Sequence, residues 1–332
     1  MSDQTHIIAE MACSHEGDPD RGRTIIDGAS EAGADSIQFQ IWKVDEMVVP
    51  HHQDYEVLSD IELTYEQWEA LAEHVWDQEH VMDIIACVYE QRSVDFAEEI
   101  GVGAYKIHSS DLSNPYLIRK VAKTGKRIDL SVGGSTLYEI QTAIQWIKDT
   151  SKSDIWLMYG YQDFPTRVDD VHIDYMMKLR NLFEQPIGYQ DHSAGESPEA
   201  FWLPAAAAGA GVDVLEKHIT HDRSFEGLDH EAALNPDEFS EFVRMVRQVE
   251  AAKGESAPRP FSEEEKRYRR DVKKSLVASR NLEEGDVLSE EDVAIRRANN
   301  SGIPPGQLDE LVGRELLRDI DAFHLIQHSD VL

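Results

Sequence analysis

The first 255 residues alternate between short apolar runs and amphipathic segments, and this alternation restricts the fold more than any other feature. Eight runs are strand-like, and several are almost continuously apolar, as is typical of strands covered on both faces. They are residues 6–13, 36–42, 82–89, 104–110, 127–133, 154–161, 186–193 and 212–219. Each is followed by a helical pattern. Repeated βα units of this number and size predict a parallel, closed (β/α)₈ (TIM) barrel over residues 1–254.

An open, doubly wound parallel sheet is the alternative arrangement of the same units. The glycine pattern G-x-G-x-x-G does not follow the first predicted strand, which argues against that alternative without removing it. Two loops are longer than a minimal βα connection, residues 43–63 and 220–234. Long loops after barrel strands lie at the catalytic end, so both indicate an enzyme.

The pattern breaks after residue 254. Pro258 and Pro260 precede a run of mixed charge, and residues 255–270 are predicted to be a linker. Residues 271–332 contain short apolar runs and turn sequences such as EEGD and SGIPPG. They predict a small compact domain with little regular helix.

The composition restricts the partners and the compartment. Asp and Glu number 64 against 32 Lys and Arg, a net charge of −32, and this argues against a nucleic acid partner. The acid is dispersed, which is typical of a protein kept soluble in high salt and predicts a halophilic host. An ordinary acidic cytosolic enzyme is the alternative. The two cysteines, Cys13 and Cys87, with no signal-like N-terminus and no bilayer-spanning apolar run, predict a reducing cytoplasm and no membrane partner.

Polar residues gather where the predicted strands end, which is where barrel enzymes build their sites. A structural barrel would end its strands in ordinary turn residues. The strand ends and the loops after them supply Glu10, His15, Glu16, Gln38, Gln40, Lys43, Lys106, Ser109, Asp111, Ser131, Gln162, His192 and His218.

His192 and His218 end two adjacent strands, the seventh and the eighth. Neighbouring strands lie about 4.8 Å apart, so two imidazoles there can share one cation. Imidazole suits Zn, Mn, Fe or Co, and two protein ligands leave positions open for water and substrate. For either histidine alone, a buried ring bonded to a backbone carbonyl is the simpler interpretation. Their matched placement favours a metal site.

Lys106 lies within an apolar strand, AYKIHSS, and a lone buried charge is costly. Its ammonium therefore needs a partner. A substrate phosphate or carboxylate, helped by the hydroxyls of Ser109 and Ser131, is one candidate. An internal ion pair with Asp111 or Glu16 is a second, and a Schiff-base lysine is a third.

Several motifs, in order along almost the whole chain, resemble those of the sialic acid synthases (N-acetylneuraminate synthases), a family that includes legionaminic and pseudaminic acid synthases. They are IIAEMACSHEGD, AGADSIQFQIWK, AYKIHSSDLSNP, GYQDHSAG, LEKHITHD and GLDHEAALNPDEF. The tail, KKSLVASRNLEEGDVL onward, is similar to that family's antifreeze-like (SAF, β-clip) domain.

The resemblance implies an EC 2.5.1-type transferase that condenses phosphoenolpyruvate with an N-acetylated amino sugar such as N-acetylmannosamine, releasing phosphate. It implies a divalent metal, commonly Mn²⁺ with Mg²⁺ or Co²⁺ as alternatives, on His192 and His218, and a domain-swapped homodimer. It places phosphoenolpyruvate on Lys106, Ser109 and Ser131, and a carboxylate, Asp111, between the two reactants. It places the sugar on Glu16, Gln40 and Asp229, together with Arg297 from the tail of the partner subunit.

Some positions depart from the family pattern. A phosphate-contacting lysine is Gln38 here, a serine is Gln190, an asparagine is Gln162, a tyrosine is Phe164, and a glutamate is shortened to Asp111. Losing one cation and one hydroxyl weakens an anion site. Lys43 or Arg167 are candidates for holding the phosphate instead. A divergent member with another donor, or an aldolase or lyase reaction, is the alternative function; a non-catalytic binding protein on the same fold is a third.

Overall fold

The computed structural model describes residues 4–332. Eight parallel strands close into a barrel in chain order, which confirms the predicted fold. The strands are β1 (His6–Glu10), β2 (Ser36–Ile41), β3 (Asp83–Val88), β4 (Ala104–Ile107), β5 (Arg127–Ser131), β6 (Ile155–Tyr159), β7 (Ile187–Asp191) and β8 (Val214–His218). They are shorter than the predicted runs, mostly at their carboxyl ends, because the polar residues there leave the sheet and form loops.

Helices follow the strands on the outside of the barrel. They are α1 (Pro19–Ala32), α2 (Val44–Met47), α3 (Tyr55–Asp60), α4 (Tyr65–Trp76), α5 (Gln91–Glu99), α6 (Pro115–Ala122), α7 (Leu137–Thr150), α8 (Ile173–Phe183), α9 (Glu199–Ala210) and α10 (Pro236–Lys253). Local sequence sets their ends: Thr64 and Thr136 form capping boxes, and α1 stops at Gly33 in the left-handed conformation. No helix formed by residues 4–332 is long and apolar enough to cross a bilayer.

Successive side chains along each strand face opposite sides of the barrel wall, either the helices outside or the barrel interior. Outward-facing residues such as Ile7, Ile37 and Leu215 pack under the helices in one large core. Inward-facing residues form a small apolar cluster, Ile8, Ile85, Ala104, Met158 and Val214, deep in the barrel. Two residues further along each strand, most inward side chains are polar. We call this end of the barrel, where the strands finish, the barrel mouth.

The chain divides into two compact units, one that ends at Gly254 and one that spans Glu255–Leu332. Part of the stretch predicted to be a linker is helical: α11 (Glu263–Asp271) begins at a Ser262 capping box. The helix forms because Ser262 and Glu265 satisfy its first backbone amides, a signal that the preceding prolines outweighed in the prediction.

The second unit has its own apolar core, which includes Leu276, Leu288, Leu316 and Ile326. After α11, its regular structure is an antiparallel pair, β9 (Ser275–Ala278) and β10 (Val293–Arg296), and one short helix, α12 (Leu308–Leu311). The rest of residues 272–332 consists of short 3₁₀ segments, turns and isolated bridges, so regular helix is sparse there, as the sequence predicted.

Candidate active site at the barrel mouth

A buried lysine lies at the centre of the mouth between two carboxylates. Lys106 Nζ on β4 donates to Glu216 Oε1 on β8 at 2.6 Å and lies 3.5 Å from Glu10 Oε2 on β1. All three side chains are almost fully buried. The internal ion pair anticipated for Lys106 therefore exists, but its partners are not Asp111 or Glu16.

A chain of hydrogen bonds extends this ion pair to β5 and β7. Gln190 Nε2 donates to Glu216 Oε1 at 3.0 Å, and Ser131 Oγ donates to Gln190 Oε1 at 2.8 Å. Gln40 Nε2 lies 3.4 Å from Glu10 Oε1, and Tyr89 donates to Gln40 at 2.9 Å. The barrel thus connects the predicted site residues Lys106, Ser131, Gln190 and Gln40 in one interior network, which we call the interior layer.

Burial and neighbouring charges shift the pKa values of Glu10 and Lys106. Burial raises the pKa of Glu10 to about 8; Lys106 opposes this shift, and Glu216 and Asp229 add to it. Burial acts to lower the pKa of Lys106, but the neighbouring carboxylates outweigh it and hold that pKa above its usual range. Lys106 therefore stays an ammonium at pH 7, and Glu10 keeps its proton to a higher pH than a free glutamate does.

Gln38 is fully buried on β2, in register with Glu10. Neither polar atom of its amide has a hydrogen-bond partner among the described residues. A buried amide without partners is costly, so each such group calls for an explanation. A bound water or substrate oxygen would supply the partner.

The two histidines meet at the same mouth. The rings of His192 and His218 have centroids 5.4 Å apart at 67°, and the Phe164 ring covers both at 4.2 and 5.9 Å. His192 Nδ1 lies 2.8 Å from the Tyr161 carbonyl oxygen, to which it donates, so Nε2 keeps its lone pair. His218 Nδ1 is buried and has no partner within the described chain.

This arrangement fits a divalent cation. Two imidazoles that share one ion at about 2.1 Å per nitrogen have ring centres about 5 Å apart. Burial lowers the pKa of both His192 and His218. Both rings are therefore neutral at pH 7, the form that ligates metals. Coordination would also satisfy the unpaired nitrogen of His218.

Gly160, just after β6, makes room for the pair. A Cβ at that position would lie 2.6 Å from the Gln190 carbonyl oxygen and 3.2 Å from His192 Cε1. Any other residue would push β6 away from β7 or displace the His192 ring. The glycine is thus a requirement of the close approach between these strand ends.

The long loop after β8, residues 220–234, folds beside the loop after β1. Glu16 bonds Arg21, whose guanidinium lies 4.8 Å from the centre of the Phe225 ring. Asp229 is half-buried in a left-handed turn, and burial raises its pKa. Its charge also acts on Glu10, so this loop brings Asp229 to the mouth.

Gly227 in this loop touches Glu16. A Cβ on Gly227 would lie 1.6 Å from Glu16 Oε1, so we expect Gly227→Ala to expel the Glu16 carboxylate from its place beside Arg21. The resemblance to the sialic acid synthases places the amino sugar on Glu16, so the KM for that sugar should rise about tenfold, the value of one charge-assisted hydrogen bond. Steady-state kinetics measures this. Gly209→Ala, where a Cβ meets nothing within 4 Å, is the control; equal behaviour of the two variants would contradict the role of Glu16.

Several predicted residues lie outside the interior layer. Ser109 and Asp111 form a 3₁₀ turn after β4, where Asp111 accepts from Asn114 at 2.8 Å and burial raises its pKa. Gln162 and Arg167 are exposed in the loop after β6. Lys43, offered as a substitute phosphate ligand, instead donates to Glu62 at 2.7 Å. Arg297 is exposed and follows β10 in the second unit.

The sequence pattern did not single out two side chains that the structure places at the mouth. Glu216 bonds both Lys106 and Gln190, and it lies two residues before His218 on β8, so strand alternation alone places both inside the barrel. His108 stands in the same relation to Lys106 on β4. The two-residue alternation of side chains along a strand is the sequence signal that could have identified both residues.

Comparison with known proteins gives family matches for both parts of the chain. The NeuB family matches residues 25–257, and the SAF domain matches residues 273–332. The N,N'-diacetyllegionaminic acid synthase of Legionella pneumophila is 30% identical over 95% of this chain and 91% of its own. The human N-acetylneuraminate-9-phosphate synthase is 29% identical over 95% of this chain and 89% of its own.

Solved structures of similar proteins have the same fold. The N-acetylneuraminic acid synthetase of Leptospira borgpetersenii, crystallised with citrate, superimposes with a TM-score of 0.73 at 29% identity over 80% of this chain and 91% of that chain. A spore coat polysaccharide biosynthesis protein E from Chromobacterium violaceum has a TM-score of 0.83 over 98% of this chain and 99% of its own; at 20% identity it supports the fold alone.

Proposed function

Because this chain belongs to the NeuB family and is an enzyme of the sialic acid synthase type, we propose that it condenses phosphoenolpyruvate with an N-acetylated amino sugar aldehyde, such as N-acetylmannosamine. The products are a nonulosonic, sialic-type acid and phosphate. The observation that carries the proposal is the convergence of two neutral imidazoles on a mouth that also holds a buried ammonium.

In this proposal His192 and His218 hold a divalent cation, Mn²⁺ by preference with Mg²⁺ or Co²⁺ as alternatives. When bound, the cation polarises the sugar aldehyde as a Lewis acid. Tyr161 fixes the orientation of the His192 ring through its carbonyl, and Phe164 packs on the ring face. The protein thereby presents the two ligand nitrogens in a fixed geometry.

The donor lies against the polar layer. The phosphate or carboxylate of phosphoenolpyruvate contacts Lys106, Ser109 and Ser131, and the side-chain amides of Gln190 and Gln38 add uncharged N–H groups. The Gln38 amide, which has no hydrogen-bond partner within the described chain, bonds an oxygen of phosphoenolpyruvate. C3 of phosphoenolpyruvate forms a C–C bond with the aldehyde carbon, water adds at C2, and cleavage of the C2–O bond releases phosphate.

The acceptor occupies the open side of the mouth, near Glu16, Gln40, Asp229 and Gln162. Asp111 stands between donor and acceptor. Burial raises its pKa, which suits a carboxyl group that exchanges a proton with the reacting oxygen.

A homodimer in which Arg297 of the second unit reaches the acceptor in the partner's barrel completes the proposal. We expect Arg297→Ala to raise the KM for acceptor about tenfold or more, because a charge-assisted contact is lost, and to leave Mn²⁺ affinity unchanged. Kinetics and calorimetry measure the two effects. Arg296→Ala, an exposed neighbour, is the control; unchanged acceptor KM, or a monomer in sedimentation, would refute this arrangement.

A divergent member with another donor is the second candidate, favoured by Gln38 and Gln190 and by the carboxylates that already surround Lys106. Phosphate release from phosphoenolpyruvate, assayed with Mn²⁺ and a panel of N-acetylated hexoses, separates the two. Release that needs both sugar and metal supports the condensation. Bound metal without turnover on any sugar supports another donor or an aldolase-type reaction, and absence of metal binding supports a non-catalytic role.

A further inference from the structure

A third imidazole, that of His108, lies at the barrel mouth and has no part in the function proposed above. His108 follows β4 in extended conformation, two residues after Lys106, so both side chains face the interior. It is half-buried, and its ring centre lies 5.5 Å from that of Tyr89. Within residues 4–332 no three His, Cys, Asp or Glu side chains are arranged to hold a metal, so His108 is not a third ligand beside His192 and His218.

The hydrogen bonds of His108 fix which nitrogen carries its proton. The backbone N–H of Ser110 donates to His108 Nδ1 at 3.3 Å, and Ser110 Oγ lies 2.9 Å from the same nitrogen. A backbone N–H can only donate, so Nδ1 is an unprotonated acceptor. Burial, helped by the charge of Lys106, lowers the pKa of His108 to about 4. The ring is therefore neutral at pH 7, with its one N–H at Nε2.

The charges at the barrel mouth indicate a role for the Nε2–H group of His108. One ammonium, Lys106, is already bonded to Glu216 and lies beside Glu10, and the position of Gln38 supplies no charge. A donor substrate with both a phosphate and a carboxylate has more acceptor oxygens than Lys106 can serve. Uncharged N–H and O–H donors must therefore complete the site, and they avoid the cost of another buried charge.

We propose that His108 is a donor-binding residue, whose Nε2–H donates a hydrogen bond to an anionic oxygen of phosphoenolpyruvate. This inference rests on the function proposed above. Nδ1 of the same ring caps the 3₁₀ turn Ser109–Asp111 by accepting from the Ser110 backbone N–H, at the other side of the ring from Nε2. The two nitrogens therefore have separable roles.

Two substitutions separate these roles. His108→Asn keeps a side-chain oxygen that can cap the turn but is too short to deliver the distal N–H. His108→Gln keeps a distal N–H₂ near the position of Nε2. We expect His108→Asn to raise the Kd for phosphoenolpyruvate at least tenfold, with an unchanged melting temperature, and His108→Gln to recover most of the affinity. Titration calorimetry of the full-length, Mn²⁺-loaded protein without sugar measures the Kd.

Each outcome decides the matter. Wild-type protein that binds phosphoenolpyruvate while His108→Asn binds it equally well overturns this inference and leaves the proposed function intact. Wild-type protein with no affinity for phosphoenolpyruvate overturns both. Equal weakening in the two variants, accompanied by a lower melting temperature, assigns His108 to the cap alone and also overturns the inference.

Discussion

We expect His218→Ala to abolish divalent metal binding and to lower the rate of phosphate release at least about a thousandfold, because the proposed Lewis acid would be lost. The fold is expected to survive. His218 ends β8 at the mouth, and its ring contacts Phe164 and His192 rather than the apolar cores. Calorimetric titration with Mn²⁺ and a phosphate-release assay at saturating substrates measure the two losses.

The matched control is His51→Ala, which removes an exposed histidine from the loop after β2. It should keep both metal affinity and turnover. Undiminished Mn²⁺ occupancy in His218→Ala would show that the ligands are assigned to the wrong residues. Lost occupancy with full turnover would show that the metal has no part in the chemistry.

The largest effect on stability is expected from Lys106→Met. Removing the ammonium leaves the Glu216 carboxylate buried without its partner, and breaking a buried pair in this way costs about 3–5 kcal/mol. Glu10 adds less to this cost, because burial raises its pKa and the variant lacks the Lys106 charge that opposes this shift, so Glu10 can take up a proton. Chemical denaturation at pH 7 measures the free energy of unfolding.

The double variant Lys106→Met with Glu216→Gln should regain most of that stability, because no unpaired charge remains, and yet stay inactive. This separates folding from catalysis. Lys120→Met, which breaks an exposed pair with Asp95, should cost no more than about 1 kcal/mol. If Lys106→Met unfolds at the wild-type denaturant concentration, the buried ion pair at the mouth is not formed.

The barrel could be predicted from the sequence because eight buried strands leave a repeated signal. Apolar runs such as those around Ile37 and Leu215 are needed to pack under the helices, and they show the strand positions directly. Their ends were less certain. Residues such as His108, and His192 after β7, look like strand continuations in the sequence but belong to the loops that build the mouth. The predicted family was confirmed by the matches over both parts of the chain.

The partners of the site residues could not be predicted in the same way. Lys106 and Glu216 are 110 residues apart in the chain, and only closure of the barrel brings β4 and β8 to opposite sides of one narrow interior. Periodicity places both side chains inside but does not say which ones touch. The convergence of His192 and His218 was predictable because adjacent strands have a fixed spacing.

Anomalous diffraction from crystals soaked in Mn²⁺ tests the central claim most directly. We predict a single strong peak at the barrel mouth, within about 2.0–2.3 Å of one nitrogen of His192 and one of His218. A mouth without a peak at full soaking, or a peak bound by other residues, would contradict the account.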